Sequence, residues 1–285
     1  MTGKQFVNLL LILLMLVLIG ACTYQLAKQV LPPPEAAKNE VKTQGPEQAS
    51  PEKPADTPIA LLELPHIMPD EEVITHTGFA LVYSEPHEQA RWVAYEITLP
   101  ELQKVASRTD RFMPDPKIRT GSAEDKDYLR SGYDRGHLAP AADMAWSEEA
   151  MRESFYFSNI SPQVPAFNRG IWKKLEERVR DWVVTDSALF IVTGPVLREG
   201  LPVIGVNEVS VPEFYYKVIL VYHETKQSAI GFLIPNAGSS LPLQNYAVTV
   251  DSVQRVTGID FFHQLPDERE AVIEQELCLP CWNWR

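Results

Sequence analysis

Side chains that bind anions, accept protons or ligate cations are concentrated in two short segments of the chain. The first segment covers residues 133–140 and reads YDRGHLAP. Its histidine, His137, titrates near neutral pH and is the candidate general base. Arg135 can bind an anionic group, Gly136 permits a close backbone approach, and Asp134 can hold a neighbouring side chain or cap a turn.

The second segment offers oxygen ligands around the start of a helix. Residues 159–163 read NISPQ and residues 167–176 read FNRGIWKKLE. The amide and carboxylate oxygens in these stretches suit a hard cation such as Mg²⁺; they belong to Asn159, Gln163, Asn168 and Glu176. In a straight α-helix the last two are separated by roughly 12 Å along the axis and about 80° around it. We therefore expect Asn168 to contact the ion, and Glu176 to hold water bound to it or to orient a base.

Together the two segments combine the functions that hydrolysis of a phosphodiester requires. These are a base that activates water, a cation that balances charge on the phosphate, and help for the leaving oxygen. Taken singly, each residue also has a structural explanation. Asp134 and Arg135 can form a salt bridge, and His137 can be a hydrogen-bonded core residue. Glu176 can pair with Lys173 on a helix face. The conjunction favours a metal-assisted phosphodiesterase site.

That conjunction resembles the DNA/RNA non-specific endonucleases, a family that includes secreted bacterial sugar-non-specific nucleases and mitochondrial endonuclease G. The resemblance rests on DRGH followed by LAP, then NISPQ, then FN with W and LE along the next helix. Shorter matches extend it over residues 79–258, with WVAY at 92–95, TGP at 193–195, FYYKV at 214–218 and TVD at 249–251. The resemblance implies an α+β fold, in which a ββα-metal site belongs to a domain with a central, mostly antiparallel sheet flanked by helices.

The same resemblance implies roles for the site residues and a reaction. His137 is the general base, and Glu176 positions water of the metal ion. Asn168 is the sole protein ligand of a Mg²⁺ ion, for which Mn²⁺ or another divalent cation can substitute. The implied reaction is endonucleolytic hydrolysis of DNA and RNA with little sequence preference, which leaves a 5′-phosphate.

Further residues have supporting roles by this resemblance. Arg135 and Asn159 support the site, and Gln163 could brace the metal ligand. The family also uses an arginine upstream of the histidine to bind the phosphate. Both Arg108 and Arg111 are candidates for that role, and Arg108 is favoured.

Apolar patterning predicts the elements that must position these residues. Strands are expected at 79–83, 92–97 and 132–138, in a stretch that ends near Ile160, and at 188–193, 214–222 and 229–235. Helices are expected at 99–106, after a Ser147 N-cap, at 169–184, from an Asp251 cap to Gly258, and after Pro266, and residues 108–131 are expected to form a loop. Strands and helices in this order indicate an α+β fold.

The N-terminal segment predicts attachment to a membrane. Residues 6–21 are apolar apart from Asn8, and as a helix they span roughly 24 Å, less than the hydrocarbon core of a bilayer. The end of the run, LIGAC at 18–22, resembles a bacterial lipobox with Cys22 as the lipidated residue. An uncleaved signal anchor is the alternative. Both interpretations place the domain outside the cytoplasm, in the bacterial cell envelope.

Composition predicts the remaining domain boundaries. Residues 1–22 form the anchor, residues 23–59 a proline-rich disordered linker, and residues 60–285 the endonuclease domain. The formal net charge of −12 opposes binding to nucleic acid. Residues 104–135, however, carry eight Lys or Arg against six Asp or Glu, whereas residues 23–72 carry four against nine. The acidity therefore lies away from the candidate site.

Two questions stay open at this level. The first is whether the chain is a catalytically inactive, envelope-anchored module that binds nucleic acid or protein on the same fold, or hydrolyses a small phosphodiester. The second is whether it is a homodimer. At the C-terminus, Cys278 and Cys281 favour a local disulfide, because two cysteines are too few for a structural zinc site.

Overall fold

An antiparallel sheet forms the centre of residues 61–285, the part of the chain that the structure describes. The predicted anchor, Cys22 and most of the predicted linker lie outside these residues. In this computed structural model the strands are β1 (Val73–Thr75), β2 (Ala80–Ser84), β3 (Gln89–Thr98), β4 (Asp134–His137), β5 (Ile160–Gln163), β6 (Ala188–Pro195), β7 (Val203–Ile204), β8 (Val209–Ser210), β9 (Phe214–His223), β10 (Lys226–Pro235) and β11 (Ala247–Val248). Seven of them form the main sheet in the order β1-β2-β3-β6-β9-β10-β11. Each neighbouring pair in it is antiparallel.

Helices cover both faces of this sheet. The α-helices are α1 (Asp125–Tyr128), α2 (Glu148–Glu153), α3 (Lys173–Asp186), α4 (Val250–Thr257) and α5 (Asp267–Gln275). Helix α3 packs on one face through Leu175, Val179 and Trp182, which recur at helical spacing. Helices α4 and α5 pack on the other face through Val253 and Ile273. The predicted α+β class, with a central antiparallel sheet between helices, is confirmed.

The three strongly apolar stretches lie in the middle of the sheet, as their continuous hydrophobicity predicts. Strand β6 has β3 on one side and β9 on the other, and β9 pairs with β10 over ten residues. Alternation along β9 sends Tyr215 and Ile219 to the α3 face and Tyr216 and Val218 to the opposite face.

A separate two-stranded hairpin carries the first candidate segment. Strand β4 pairs with β5 so that His137 faces Ile160 and Asp134 faces Gln163 across the ladder. The prediction that the second strand ends near Ile160 is wrong, because the strand begins there. The preceding residues, Phe157–Asn159, form a 3-10 turn that redirects the chain. A π-helical turn, Phe167–Trp172, then leads into α3.

Helix ends differ from the prediction in two places. The helix expected at 99–106 is a single 3-10 turn, Leu99–Leu102, because a capping box of Thr98 and Glu101 starts it and the chain extends at Gln103. Helix α4 is capped by Thr249, whose hydroxyl accepts from the Ser252 amide at 3.2 Å, so the predicted Asp251 cap is wrong.

Other predicted boundaries agree with the structure. Ser147 caps α2, and Gly258 ends α4 in a left-handed conformation. The predicted loop at 108–131 contains the short helix α1. None of the helices within residues 61–285 is long and apolar enough to cross a membrane.

Candidate active site

A cavity of about 390 Å³ lies where the β4–β5 hairpin, the π-helical turn and α3 meet. Its described lining is Arg108, Arg135, His137, Pro140, Ala141, Ala142, Asn168, Arg169, Lys173, Glu176 and Arg180. Five of these side chains are cationic and one is a carboxylate. The wall is therefore strongly positive in a protein whose formal net charge is −12. Such a cavity suits an anionic ligand.

His137 stands at the end of β4, at the edge of this cavity. Its ring lies 5.7 Å from the Phe112 ring and 4.8 Å from the Phe155 ring, measured between centroids, and only 9% of the residue is exposed. Burial and the nearby charge of Arg108 lower the pKa of His137 to about 3. Nε2 is buried and has no hydrogen-bond partner among the described residues. The imidazole is thus neutral at physiological pH and free to accept a proton.

Asn168 is oriented by Asp134. Its Nδ2 donates a hydrogen bond of 2.9 Å to Asp134 Oδ2, and Arg169 donates to both oxygens of the same carboxylate at 2.8 and 2.6 Å. Partial burial opposes ionisation of Asp134, but the bonds from Arg169 and Asn168 outweigh it and hold the pKa of this carboxyl below its usual value. Because the amide nitrogen faces Asp134, the Asn168 Oδ1 atom is the one left for a ligand.

Two arginines are held against aromatic rings in the cavity wall. The guanidinium of Arg135 lies 5.4 Å from the Phe112 centroid and forms a 2.8 Å ion pair with Asp125. The guanidinium of Arg108 lies 5.1 Å from the Phe155 centroid. A ring beside the guanidinium restrains a long side chain. Arg108 also pairs with a carboxylate, that of Asp110. Arg111, the other upstream candidate, is exposed and is not part of the described lining.

Glu176 is the one carboxylate in the described cavity lining, and it is half-buried. Burial raises its pKa to about 7, although the charge of Lys217 acts in the opposite direction. One helical turn further along α3, Arg180 donates a 2.7 Å hydrogen bond to the buried Asp143. Asp143 also accepts a 3.0 Å bond from the Tyr95 hydroxyl. This network lies directly behind the cavity wall.

Asn159 and Gln163 contact the hairpin, not the cavity. The Asn159 amide accepts from the Ala139 N–H and donates to the Ala139 and Ser154 carbonyls, at 2.8 to 2.9 Å, so it anchors the loop that follows His137. Gln163 is fully buried, and its amide has no hydrogen-bond partner among the described residues. The interpretation that Gln163 braces Asn168 is therefore wrong, because Asp134 does so.

The expected separation of Asn168 and Glu176 stays a prediction. It assumed a straight α-helix, but the chain between them starts with the π-helical turn Phe167–Trp172, in which Gly170 is non-helical at φ −109° and ψ −107°. A π-turn re-aims side chains relative to the helix that follows. Both residues consequently line one cavity.

Comparison with known proteins decides the family. The family model described as DNA/RNA non-specific endonuclease matches residues 67–268. The chain belongs to the DNA/RNA non-specific endonuclease family. Members of this family are metal-dependent nucleases.

Relatives and a solved structure agree with this assignment. "Nuclease EXOG, mitochondrial" of Danio rerio is 36% identical over 68% of this chain and 62% of its own length. "Endonuclease G, mitochondrial" of Bos taurus is 32% identical over 66% of this chain and 68% of its own length. A chain in the crystal structure of the EndoG/EndoGI complex has a TM-score of 0.67 at 32% identity, covering 72% of this chain and 90% of that one. The chain thus spans about three fifths of the length of the Danio rerio relative.

The described part of the chain also contains residues of the site that the sequence did not predict to be functional. Arg169, Lys173 and Arg180 line the cavity, and Asp143 and Lys217 lie behind it. A usable signal existed for Arg180, which follows Glu176 by four residues and so lies on the same face of α3. Lys217 lies within the FYYKV match at 214–218, but its position more than forty residues from Glu176 gave no sign that the two are near each other.

Proposed function

We propose that this protein is an endonuclease that hydrolyses phosphodiester bonds in DNA and RNA with little sequence preference. The observation that carries the proposal is the convergence of His137, Asn168 and Glu176 on one cavity with five cationic residues. A neutral histidine, an oriented amide oxygen and a carboxylate are the groups that metal-assisted hydrolysis of a phosphodiester needs.

The donor set fits a hard divalent cation, and we assign Mg²⁺, with Mn²⁺ as a substitute. Asn168 Oδ1 is turned away from Asp134 and would contact the ion, while the Glu176 carboxylate would accept hydrogen bonds from its hydration shell. One protein ligand and several waters agree with the reluctance of Mg²⁺ to lose water. When bound, the cation balances negative charge that develops on the phosphate and the leaving oxygen.

His137 acts as the general base. The imidazole is unprotonated across the neutral range, which is the state that a general base needs to accept a proton from the attacking water. The rings of Phe112 and Phe155 hold the imidazole in one orientation at the end of β4. The base is therefore preorganised and needs no prior loss of a proton.

Arg108 and Arg135 bind the scissile phosphate. Both guanidinium groups reach the cavity, and both are restrained by aromatic rings. Arginine matches the geometry of phosphate oxygens and holds its charge at every working pH. By resemblance to the family, we expect the products of cleavage to carry a 5′-phosphate.

The cavity chemistry also supports low sequence preference. Contacts to phosphate fix the position of a nucleic acid but carry no base information. The described lining includes five cationic side chains and no Phe, Tyr or Trp, so contact with the nucleic-acid backbone is favoured over base recognition. The positive charge of the cavity wall also provides a local binding site for nucleic acid in a protein whose formal net charge is −12.

The direct test is cleavage of a supercoiled plasmid and of a structured RNA by the full-length protein in detergent. Nicking and linearisation of the plasmid, together with RNA degradation, are expected with Mg²⁺ and are abolished by a chelator. Retained nucleic-acid binding without cleavage in any divalent cation would instead favour an inactive binding module. Hydrolysis of mononucleotide esters alone would favour a small phosphodiester as substrate.

We also propose that Cys22 is lipidated and that the domain acts in the bacterial cell envelope, on the membrane. The apolar run and the LIGAC motif support this, and so does the Cys278–Cys281 disulfide, a bond typical of oxidising compartments. Incorporation of a labelled fatty acid in the wild type, and none in Cys22→Ser, tests the assignment. A homodimer is a further proposal by family resemblance, and the mass measured by light scattering tests it.

A further inference from the structure

Lys217 is a fully buried lysine at the centre of the sheet. It lies on β9 between Thr193 of β6 and Phe232 of β10, and none of its surface is exposed. Its neighbours on the same face of β9 are Tyr215 and Ile219, which belong to the apolar core beneath α3. A cation in such a position is costly unless an anion lies nearby.

Two aromatic rings define where the Lys217 ammonium lies. Nζ is 5.0 Å from the Trp172 ring centroid and 5.9 Å from the Tyr95 ring centroid. Trp172 is the last residue of the π-helical turn and directly precedes α3, the helix that carries Glu176. The Tyr95 hydroxyl contacts Asp143, which in turn holds Arg180. The ammonium is thus behind the part of α3 that presents Glu176 to the cavity.

No described residue accepts a hydrogen bond from Lys217 Nζ. The Glu176 side chain likewise has no hydrogen bond to a described residue, so nothing in the hydrogen-bond network fixes its charge state. The two groups are opposite charges on facing elements, β9 and α3. Their attraction crosses the protein interior, where it is stronger than in water.

We propose that Lys217 is a positioning residue for Glu176: its buried ammonium favours the ionised Glu176 carboxylate and holds it at the wall of the cavity. This inference rests on the proposed function for the role of Glu176 in catalysis. A lysine that served only packing would be replaced at little cost by an apolar residue of the same length.

The charges around Glu176 come from several elements. Lys217 and Arg180 favour its ionised form, and Asp143 and Glu177 oppose it. The cations of the cavity wall also face it, namely Arg108, Arg135, Arg169 and Lys173, together with the neutral His137. Lys217 is the largest favourable influence on Glu176, and Glu176 is the largest on Lys217. Burial lowers the pKa of Lys217 to about 8, so its charge is present at neutral pH.

The test compares Lys217→Met, which removes the charge at nearly constant length, with Lys217→Arg, which keeps it. Plasmid cleavage by the full-length protein is followed from about pH 6 to about pH 10 at saturating Mg²⁺. The pKa of Glu176 is about 7 in the wild type, so about half of the carboxylate is ionised at pH 7. In Lys217→Met the acid limb of kcat is expected to move to higher pH by about one unit or more, which lowers kcat at pH 7 about fivefold or more. KM should stay nearly constant, and Lys217→Arg should restore the wild-type limb. An unmoved acid limb in an active, folded Lys217→Met overturns the proposal.

A second measurement does not need catalysis. Carbon-13 labelling of glutamate carboxyls, with the Glu176 signal assigned by its loss in Glu176→Gln, gives the pKa of Glu176 directly by NMR. This pKa should rise in Lys217→Met. Conversely, labelling of lysine Cε should show that the pKa of Lys217 falls in Glu176→Gln, a variant that keeps the buried lysine. Absence of nuclease activity in the wild type would refute the proposed function, whereas unchanged pKa values would refute the link between Lys217 and Glu176.

Discussion

The 2.9 Å hydrogen bond from Asn168 Nδ2 to Asp134 Oδ2 determines which end of the Asn168 amide faces the cavity. A carboxylate accepts hydrogen bonds and cannot donate them, so only the nitrogen of the amide can face Asp134. The oxygen is thereby turned to the other side. Asp134 comes from β4 and Asn168 from the π-helical turn, so the contact also ties the hairpin to the segment leading into α3.

Removal of this contact should weaken the affinity of the protein for Mg²⁺. In Asp134→Ala the Asn168 amide is free to rotate and Arg169 loses its partner, so the Mg²⁺ concentration for half-maximal cleavage should rise about 10- to 100-fold, as expected for a residue that orients a metal ligand. Asp181→Ala, which breaks an exposed pair with Arg178 on α3, is the matched control and should leave that concentration unchanged. An unchanged Mg²⁺ requirement in Asp134→Ala contradicts the assignment.

Loss of the base should separate catalysis from binding. His137→Ala is expected to lower kcat by about 10²- to 10⁴-fold, the usual contribution of general-base catalysis, with DNA affinity within a few-fold of wild type. The measurements are single-turnover cleavage and fluorescence anisotropy of a labelled duplex. His223→Ala, at the exposed end of β9, is the control. Wild-type cleavage by His137→Ala would show that another group is the base.

The pH dependence of kcat should reflect the ionisation of Glu176 and not that of His137. The pKa of His137 is about 3, so this residue stays neutral well below pH 7. The pKa of Glu176 is about 7, and the ionised form is the active one, so kcat should fall as pH drops through 7 and reach a plateau above it. The residual activity of Glu176→Gln should lack this limb. A limb that persists in Glu176→Gln would assign it to a different group.

Gly136 should be intolerant of any side chain because Gln163 occupies the space above it. A Cβ atom at Gly136 would lie 2.1 Å from Gln163 Cδ, so one of them must move. Gly136→Ala should therefore destabilise the protein by about 1–3 kcal/mol. Adding Gln163→Ala removes the clash, so the double variant should be more stable than the sum of the single changes by about 1 kcal/mol. Urea denaturation measures all four proteins, and strict additivity would rule out the clash.

Glu274 on α5 should reduce stability at alkaline pH. Burial raises its pKa to about 8, from 4.5, despite the 2.7 Å hydrogen bond from Gln254. Between these two values the folded state holds a proton that the unfolded chain has lost, so the free energy of unfolding falls as pH rises. Glu274→Gln cannot ionise, and its Tm should exceed that of wild type by about 2–4 °C at pH 8, for a gain of about 1 kcal/mol. The difference should vanish near pH 4.5.

The exposed Glu268 on the same helix provides the control for this comparison. Glu268→Gln removes one negative charge from α5 without relieving a buried carboxyl, so its Tm should follow that of wild type at both pH values. An equal gain in the two variants at pH 8 would mean that general charge repulsion, and not burial of Glu274, limits stability.

Local sequence patterns were sufficient to predict the main helices and strands, but they did not predict the turns that connect them. The apolar periodicity of 169–184 identified α3, because a helix that buries one face repeats apolar residues at helical spacing. The β-branched runs identified β6, β9 and β10, because a strand that is buried on both faces is apolar along its whole length. The π-helical turn at Phe167–Trp172 and the 3-10 turn at Phe157–Asn159 have no comparable sequence pattern. Both arise where the chain must join the hairpin to a packed helix.

The sequence by itself determined the family, the antiparallel α+β fold and the candidacy of His137, Asn168 and Glu176, since these depend on residue types at short, recognisable spacings. Only the tertiary structure decided that Arg108, and not Arg111, lines the cavity, and that Asp134, and not Gln163, orients Asn168. It also decided that the Lys217 ammonium lies beside the ring of Trp172, the residue that directly precedes α3. The physical reason is that orientation and protonation depend on burial and on charges brought together from distant segments, which residue order does not encode locally.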